Sequence, residues 1–454
     1  MLNRFLFALL PVLAAAVPAL AQEPPYVLTA PFGYGRDATG GAGGSVTTVT
    51  TREQFATAVA ASGNAIILVS GTLTFGEGQM VKSVVANKTV IGLPGAKLVS
   101  TAQVKDGGIW QLSENSNNVI IRNLIFEGPG AYDVDGNDLL FNRGTNVWVD
   151  HCEFYDGVDG NFDNSNGADN VTITWNKFGY NKPAKAGGSG GSDDHRFSNL
   201  VSGGDGTAPA DGRYSITFAY NWWGNGVRER MPRARNAQLH LLNNYVNSNV
   251  GSKAVGLSAG NNGTDVYVEN CHFKAVNTVL DAGYGGSPKV TIVGSDRNNG
   301  NTNGGTSAPT YAYTAIPWGS VEAAVIGSCG AGATLQVNES TGAVSCGSPV
   351  QSSSSRPSSS SSSSSHSSSS SRPSSSSVIP SSSSAVPSSS SAAPSSSSSE
   401  VVTPILSSPQ SLVPSPNAPR YYNLKGEPLG TAKPSNPGVY IEKNEKNVRK
   451  IVVK

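Results

Sequence analysis

Six eight-residue segments that repeat along the middle of the chain limit its possible folds more than any other feature. In each segment the first and third residues are apolar, a turn-forming position follows, and the eighth residue is again large and apolar. Alternation with a period of two is typical of a β-strand. The segments are Val119–Phe126, Val147–Phe154, Val171–Phe178, Ile216–Trp223, Leu239–Val246 and Val266–Phe273.

The spacing of these segments indicates how the strands are arranged. Most starts lie 23 to 28 residues apart, and one gap is 45 residues. A repeat of this length, with short strands, Asn and Gly at the corners and no helices between, is typical of a β-solenoid. We therefore predict an all-β fold, a right-handed single-stranded parallel β-helix, with coils roughly 4.8 Å apart. A β-sandwich and a β-propeller are the competing all-β arrangements, and the coil length disfavours both.

The sixth position of the repeat predicts a ladder of side chains at one corner. Three successive coils carry asparagine there, and buried amides at a corner satisfy the polar backbone of the turn. Cysteines occupy the same position four coils apart, which at about 4.8 Å per coil is beyond disulfide reach. We therefore expect two buried free thiols. In chain order the sixth positions are Leu124, Cys152, Asn176, Asn221, Asn244 and Cys271.

Composition divides the chain into four regions. Residues 1–21 have the basic start, apolar run and Ala-Leu-Ala end of a cleavable secretory signal peptide. The β-helix domain is predicted over 22–347. A disordered linker is predicted over 348–417, where serine and proline leave nothing to form a core. Residues 418–454 predict a small β-rich module of three short strands, similar to the C-terminal sorting or anchoring modules of some exported bacterial enzymes.

These regions predict a secreted, extracellular protein, with the C-terminal module as a candidate for holding it at the cell surface. The apolar run near the N-terminus is short and interrupted by proline, and no later stretch is long enough to span a bilayer. In an exported chain, Cys329 and Cys346 around a Gly-rich segment predict a disulfide. A net charge of +1 gives no global field for nucleic acid. We expect no nucleic-acid partner, and a monomer.

Three aspartates predict a cation site. Asp159 and Asp163 precede the third repeat segment, and Asp138 precedes the second. Residues at the same place in neighbouring coils lie side by side, so the three carboxylates can converge. Oxygen ligands without a Cys or His pair suit Ca²⁺. The competing interpretation, turn-forming aspartates on solvated loops, is favoured for each residue alone but less so for the set.

Four arginines lie close together in Arg228–Arg235. A solvated basic stripe and a nucleic-acid patch are competing interpretations, but no aromatic stacking surface or nucleic-acid module accompanies them. Arginine binds carboxylates in a bidentate manner. Beside an acidic cation site, the arginines therefore predict an acidic sugar chain, whose carboxylates would bridge the cation and the guanidinium groups.

Two motifs resemble those of the pectate lyases of polysaccharide lyase family 1. Trp148-Val149-Asp150-His151 is similar to the family's Trp-x-Asp-His signature. Arg230-x-Pro232-x-x-Arg235 is similar to its Arg-x-Pro-x-x-Arg signature. Segments 38–41 and 87–92 add to the resemblance, which covers roughly residues 30–280 and implies a parallel β-helix.

The resemblance implies a ligand set for calcium. Asp138, Asp159 and Asp163 match the family's ligand positions. Asp135 is a further candidate, because the segment before Val147 is one residue short.

The resemblance also implies roles for the basic residues. Arg230 matches the proposed catalytic base, and Arg235 a substrate-binding arginine. The family's substrate-contacting lysine falls at Pro183, which leaves Lys182 or Lys185 for that role. The histidine of the Trp-x-Asp-His motif is expected to be structural.

The implied activity is calcium-dependent β-elimination on (1→4)-α-D-galacturonan, that is polygalacturonate or pectin, giving 4,5-unsaturated oligogalacturonides. Cationic groups around the uronate would stabilise the charge that develops as its C5 proton leaves. Three alternatives stay open. A pectin lyase would act on methyl-esterified pectin without calcium, which the presence of the three aspartates disfavours. A polygalacturonase would need paired carboxylates as acid and base, and a non-catalytic glycan-binding β-helix would form no product.

Overall fold

Each repeat segment forms two strands joined by a two-residue corner at its fifth and sixth positions. The structure is a computed structural model, and it describes residues 24–103, 106–298, 305–347, 420–422, 428–430, 434, 438–443 and 448–453. The predicted signal peptide (1–21) and linker (348–417) lie outside the described residues. Within the described part of the chain, no helix is both apolar and long enough to cross a membrane.

Three parallel sheets run along the solenoid; eight coils contribute one strand to each sheet, and sheet 1 has one additional strand at either end. The ten strands of sheet 1 are Ser45–Val49, Ala65–Val69, Ala86–Gly92, Asn117–Arg122, Thr145–Asp150, Asp169–Thr174, Tyr214–Ala219, Ala237–Leu242, Asp265–Glu269 and Lys289–Val293. The eight strands of sheet 2 are Thr72–Phe75, Lys97–Ser100, Ile125–Glu127, Glu153–Tyr155, Lys177–Gly179, Trp222–Trp223, Tyr245–Asn247 and His272–Ala275. The eight strands of sheet 3 are Val81–Ser83, Trp110–Leu112, Leu140–Asn142, Phe162–Asn164, Leu200–Val201, Arg233–Ala234, Lys253–Leu257 and Thr278–Asp281.

The register of sheet 1 matches the repeat residue for residue. The first positions of the six segments pair in sequence, beginning with Val119 beside Val147 and Val147 beside Val171. Their side chains are buried, as the period of two requires. The prediction of an all-β parallel β-helix is therefore confirmed.

The core of the solenoid contains a stack of aromatic rings at the eighth repeat position. Phe126 and Phe154 lie 4.7 Å apart between ring centroids, and Phe154 and Phe178 lie 5.2 Å apart. Trp223 continues the stack 5.5 Å from Phe178. Because the rings follow the spacing of the coils, each supports the register of the next.

The predicted side-chain ladder is present at the corner between sheets 1 and 2. The amide of Asn176 donates to Asn221 Oδ1 (3.2 Å), and that of Asn221 donates to Asn244 Oδ1 (3.1 Å). The same two oxygens also accept the backbone N–H groups of Asn176 and Asn221, so the buried polar groups at this corner have partners. Cys152 and Cys271 continue the ladder at its two ends and are buried free thiols, as predicted.

The fifth position, directly before the ladder, has a left-handed backbone in all six coils. Asparagine tolerates this conformation, but bulky residues rarely adopt it. Three coils nevertheless carry large rings there: Trp175 stacks on Tyr220 at 4.5 Å between centroids and lies 5.8 Å from His151. His151 Nδ1 also lies 2.9 Å from Asp150 Oδ2, which supports its expected structural role.

The remaining described elements of the first unit pack against the solenoid. Helix α1 (Arg52–Ala60) begins at Thr51, whose side chain accepts the Gln54 N–H. Helix α2 (Trp318–Val325) is followed by the antiparallel strands Leu335–Val337 and Val344–Cys346. The predicted disulfide between Cys329 and Cys346 is confirmed.

A second compact unit lies within Ser358–Lys454. Its described strands form an antiparallel sheet in the order Pro428–Gly430, Arg420–Tyr422, Gly438–Lys443 and Val448–Val453. Pro428–Gly430 is a fourth strand, in addition to the three expected from the sequence.

The ladder should contribute measurably to stability. Replacing Asn221 with Ala removes the side-chain acceptor of the buried Asn176 N–H and the side-chain donor to the Ile173 carbonyl. An unpaired buried polar group costs about 1–3 kcal/mol, so we expect a loss of roughly 2–4 kcal/mol in the free energy of urea unfolding. Asn225→Ala changes an exposed asparagine of the same coil and should stay within about 0.5 kcal/mol of wild type. Equal effects of the two variants would contradict a stabilising ladder.

Candidate active site

The candidate site lies on four successive coils, at residues in or just before the sheet 3 strand of each coil. Backbone hydrogen bonds between coils fix their order and bring Asp138 within three coil steps of Arg230. At about 4.8 Å per step, side chains from both ends can reach one ligand. The bonds run from the Leu139 N–H to the Gly160 carbonyl (3.2 Å), from the Asn161 N–H to the Ser198 carbonyl (3.0 Å), and from the Asn199 N–H to the Arg230 carbonyl (2.8 Å).

Asp138 and Asp163 form the buried centre of this region. Both side chains are almost completely buried, and the charge of Asp163 acts on Asp138. Gly160 allows the approach, because a Cβ there would lie 2.5 Å from Asp138 Oδ1 and 3.1 Å from Asp163 Oδ1. The Leu200 N–H donates to Asp163 Oδ1 (2.7 Å) and fixes its orientation.

The pKa values of this pair show how unfavourable two buried negative charges are. Burial raises the pKa of Asp138 well above its usual range, and the charges of Asp163 and Asp159 raise it further. Burial likewise raises the pKa of Asp163 to about 7, against the opposing charge of Arg230. Neighbouring carboxylates in a low dielectric cannot all ionise without a compensating cation.

Asp159 is oriented differently from the other two predicted ligands. Its Oδ2 accepts the Gly136 N–H (2.6 Å), and its Oδ1 lies 3.2 Å from His195 Nε2. Burial raises the pKa of Asp159, but the His195 contact and the charge of Arg230 outweigh that effect, so the pKa is lowered. Burial and the charges of Asp159 and Asp133 raise the pKa of Asp135, so it belongs to the same electrostatic cluster.

Two residues of this cluster, Asp133 and His195, were not proposed from the sequence. His195 Nδ1 lies 2.8 Å from Asp133 Oδ1, so the imidazole ring bridges two carboxylates. One ligand-type atom each of Asp133, Asp159 and His195 lies within 4.8 Å of the others. The signal that could have found His195 is a single histidine, after two aspartates, in a loop otherwise made of Gly and Ser.

The charge of Arg230 acts on all three aspartates proposed as calcium ligands. Arg230 has φ +61°, a left-handed backbone that is uncommon outside glycine and recurs at functional sites. Its guanidinium lies 5.0 Å above the Phe197 ring, and its Nε is buried without a hydrogen-bond partner among the described residues. Burial and the charges of Arg235 and Arg230 lower the pKa of Arg233. Arg235 is mostly buried, with its Nη1 3.3 Å from Asp205.

The two candidate lysines differ in their surroundings. The Lys182 ammonium donates to the Gly128 carbonyl (2.6 Å) and, among the described carboxylates, lies within 4.0 Å of Glu127 and Asp156. Its side chain is 41% exposed, so a ligand can still reach it. Lys185 is exposed, and its backbone N–H donates to the Ala131 carbonyl. Which of the two meets substrate stays a prediction.

The buried carboxylates fit a divalent cation. Asp138 Oδ1 is buried without a hydrogen-bond partner in the described part of the chain, as expected for an oxygen that binds an ion. The donors of Asp138, Asp159 and Asp163 are all oxygens, which suits Ca²⁺. The His195 nitrogens each lie within ion-pair distance of a carboxylate, 2.8 Å from Asp133 and 3.2 Å from Asp159, although neither contact has hydrogen-bond geometry.

Comparison with known proteins agrees with this geometry. A family model described as pectate lyase matches residues 8–388. The pectate trisaccharide-lyase of Thermotoga maritima is 31% identical over 214 residues, which cover 45% of this chain and 52% of the relative. Pectate lyase B of Colletotrichum gloeosporioides is 30% identical over 316 residues, covering 66% of this chain and 84% of the relative. The match to the Thermotoga protein thus spans about half of that relative.

Solved structures show the same fold. A pectate lyase bound to a hexasaccharide superposes with a TM-score of 0.53 at 21% identity, covering 67% of this chain and 96% of the other. A pectate lyase from Paenibacillus sp. 0602 superposes with a TM-score of 0.51 at 17% identity, covering 69% and 99%. At these identities the similarity supports the solenoid architecture.

The raised pKa values predict how pH and calcium affect stability. An aspartate whose pKa is raised on folding stabilises the protein below its unfolded value, near 3.9, and that stability is lost as pH rises through the folded value. Without divalent cations, the thermal unfolding midpoint should therefore fall between about pH 4 and pH 7, the range set by Asp163. Because the pKa of Asp159 is lowered on folding, this residue affects stability only at pH values below that range.

Calcium should reverse the loss at pH 7, because it neutralises the ionised pair. Asp163→Asn removes one titrating group and should flatten the pH dependence measured with chelator present. Midpoints that follow the same pH curve in wild type and Asp163→Asn would contradict this account.

Proposed function

Because the chain belongs to the pectate lyase family, we propose that it is a secreted, calcium-dependent lyase that cleaves polygalacturonate by β-elimination. The observation that carries this proposal is the position of Arg230 beside the buried carboxylates. Its charge acts on Asp138, Asp159 and Asp163 at once, and in each case lowers the pKa of the carboxyl group. A uronate needs both features, a cation site for its carboxylate and a basic group near C5.

The reaction removes a proton and a sugar–oxygen bond without adding water. A base takes the C5 proton, the electron pair forms the C4–C5 double bond, and the bond from C4 to the glycosidic oxygen breaks. The departing oxygen takes a proton from solvent, so the products are a saturated chain end and a 4,5-unsaturated one. The enzyme must stabilise the negative charge that spreads onto the uronate carboxylate after C5 is deprotonated.

We assign Arg230 as the base. Its charge acts on the buried carboxylates, and its guanidinium lies 5.0 Å from the centroid of the Phe197 ring. Arginine releases its proton only at high pH, so this role predicts activity that rises toward alkaline pH.

The other residues bind and orient the substrate. Arg235 is held near Asp205 and has a buried Nε without a partner among the described residues, so it can donate to a uronate carboxylate. Lys182 or Lys185 would contact a neighbouring carboxylate. Calcium held by Asp138, Asp159 and Asp163, when bound, would supply positive charge that acidifies C5.

The reaction type can be tested by ultraviolet absorbance, because an unsaturated uronide absorbs and a hydrolysis product does not. We expect absorbance to rise when the protein is incubated with polygalacturonate and calcium, and the rise to stop when a chelator is added. Chelator-resistant product formed mainly from methylated pectin would indicate a pectin lyase. New reducing ends without a rise in absorbance would indicate hydrolysis. If no product forms, the interpretation as a non-catalytic glycan-binding protein would be favoured.

The role of Arg230 can be tested with a charge-conserving change. Arg230→Lys keeps a cation but moves it, and we expect kcat to fall by at least about 100-fold, the lower range for loss of a general base, with KM changing little. Arg213→Lys alters an arginine that pairs with Asp265 at the edge of sheet 1 and should keep near-wild-type kcat. If Arg230→Lys and Arg213→Lys have equal kcat values, Arg230 is not the catalytic base.

Export also forms part of the proposal, supported by the N-terminal sequence. Mass spectrometry of the protein recovered outside the producing cell should show a mature chain that begins at Gln22. An intact N-terminus on a protein found only inside the cell would contradict export.

A further inference from the structure

A buried aspartate outside the predicted calcium ligands holds a long loop onto the site. Asp133 is almost completely buried, and its Oδ2 accepts the Ser192 N–H (2.6 Å). Its backbone carbonyl accepts the Gly190 N–H (2.9 Å), and its Oδ1 lies 2.8 Å from His195 Nδ1. Three contacts therefore tie this one residue to the segment 190–195.

The loop sequence allows this close docking. A Cβ at Gly188 would lie only 1.7 Å from the Tyr132 carbonyl oxygen, so only glycine permits the loop to lie against the residues around Asp133. The far end of the segment is held separately, since Asp194 accepts from Arg228 (3.1 Å) and from Arg196 (2.6 Å). The Arg228 N–H also donates to the Arg196 carbonyl (2.8 Å), so the loop is held on both sides of its buried histidine.

The consequence is that His195 has a defined position against Asp159. Its side chain is 7% exposed, and its ring packs 4.3 Å from that of Phe197. With Nδ1 directed at Asp133, its Nε2 faces Asp159 Oδ1 at 3.2 Å. The other oxygen of Asp159 accepts the Gly136 N–H (2.6 Å), so this carboxylate is hydrogen-bonded at one oxygen and has the imidazole beside the other.

We propose that Asp133 and His195 are positioning residues for calcium: Asp133 fixes the imidazole, and the imidazole fixes the Asp159 carboxylate beside Asp138 and Asp163. The inference rests on the proposed calcium-dependent function and adds two residues to it. Groups that orient a metal-binding side chain typically change metal affinity by 10- to 100-fold when they are removed. The same segment also places Phe197 beneath Arg230, so one loop orients groups on both sides of the cluster.

The test is calorimetric titration of calcium into the full chain, which reports binding without reference to activity. We expect His195→Ala and Asp133→Asn to weaken calcium binding at least about tenfold. His195→Gln can still donate an amide N–H to Asp159 and should recover much of the loss. The matched control is His272→Ala, which removes a histidine that also faces an aspartate, Asp296 at 3.5 Å, but lies on sheet 2. It should bind calcium as wild type does.

A parallel assay of product formation separates this inference from the proposed reaction. In the His195 variants, the calcium concentration for half-maximal rate should rise in step with the calorimetric constant, whereas kcat at saturating calcium should fall much less. If wild type forms no unsaturated product but its calcium affinity still depends on His195, the reaction is wrong and the positioning role stands.

The opposite results overturn the positioning role. If wild type is active and folded His195→Ala and His195→Gln both bind calcium as wild type does, His195 does not orient Asp159. Equal weakening in the Ala and Gln variants, with a lowered unfolding midpoint in both, would indicate a purely structural residue. A wild-type chain that binds no calcium overturns the inference as well.

Discussion

The candidate site depends on the in-register stacking of parallel coils. Backbone hydrogen bonds between neighbouring strands fix the position of each coil relative to the next. Residues far apart in sequence therefore keep fixed relative positions. The amide ladder through Asn176, Asn221 and Asn244 locks one corner of the coils, and the stacked rings in the core resist slippage at another position. Asp138 and Arg230 reach the same site because that register holds across the intervening coils.

The rigid solenoid keeps the buried carboxylates of the site close together despite their electrostatic repulsion. Burial raises the pKa of Asp138 and of Asp163, and neither carboxyl can relax away because each lies against a strand of sheet 3. A flexible surface would separate like charges, whereas the solenoid keeps them together until a cation compensates them. The guanidinium of Arg230 supplies part of this compensation. The geometry thus favours a ligand that brings both positive charge and a carboxylate of its own.

The sequence predicted those features that the repeat controls. The pairing of Val119 with Val147 and Val171, the ladder and its two terminal cysteines all follow from the period, and the structure confirms them. The role of His195 did not follow, because it lies in the 45-residue gap where no periodicity relates a residue to its neighbours in space. The surroundings of Lys182 were missed for the same reason, since its contact with the Gly128 carbonyl depends on how two loops meet. Residue propensity and periodicity predict strands. The position of a loop depends on tertiary contacts, and these produce no recognisable pattern in the local sequence.

The most direct test of the central claim, that coil register gathers the carboxylates into one cation site, is anomalous diffraction from crystals of the protein grown with calcium. We expect a peak bound by oxygens of Asp138, Asp159 and Asp163, about 2.3–2.6 Å from each ligand atom. A well-ordered crystal with the same coil register and no calcium peak at these aspartates would contradict the account.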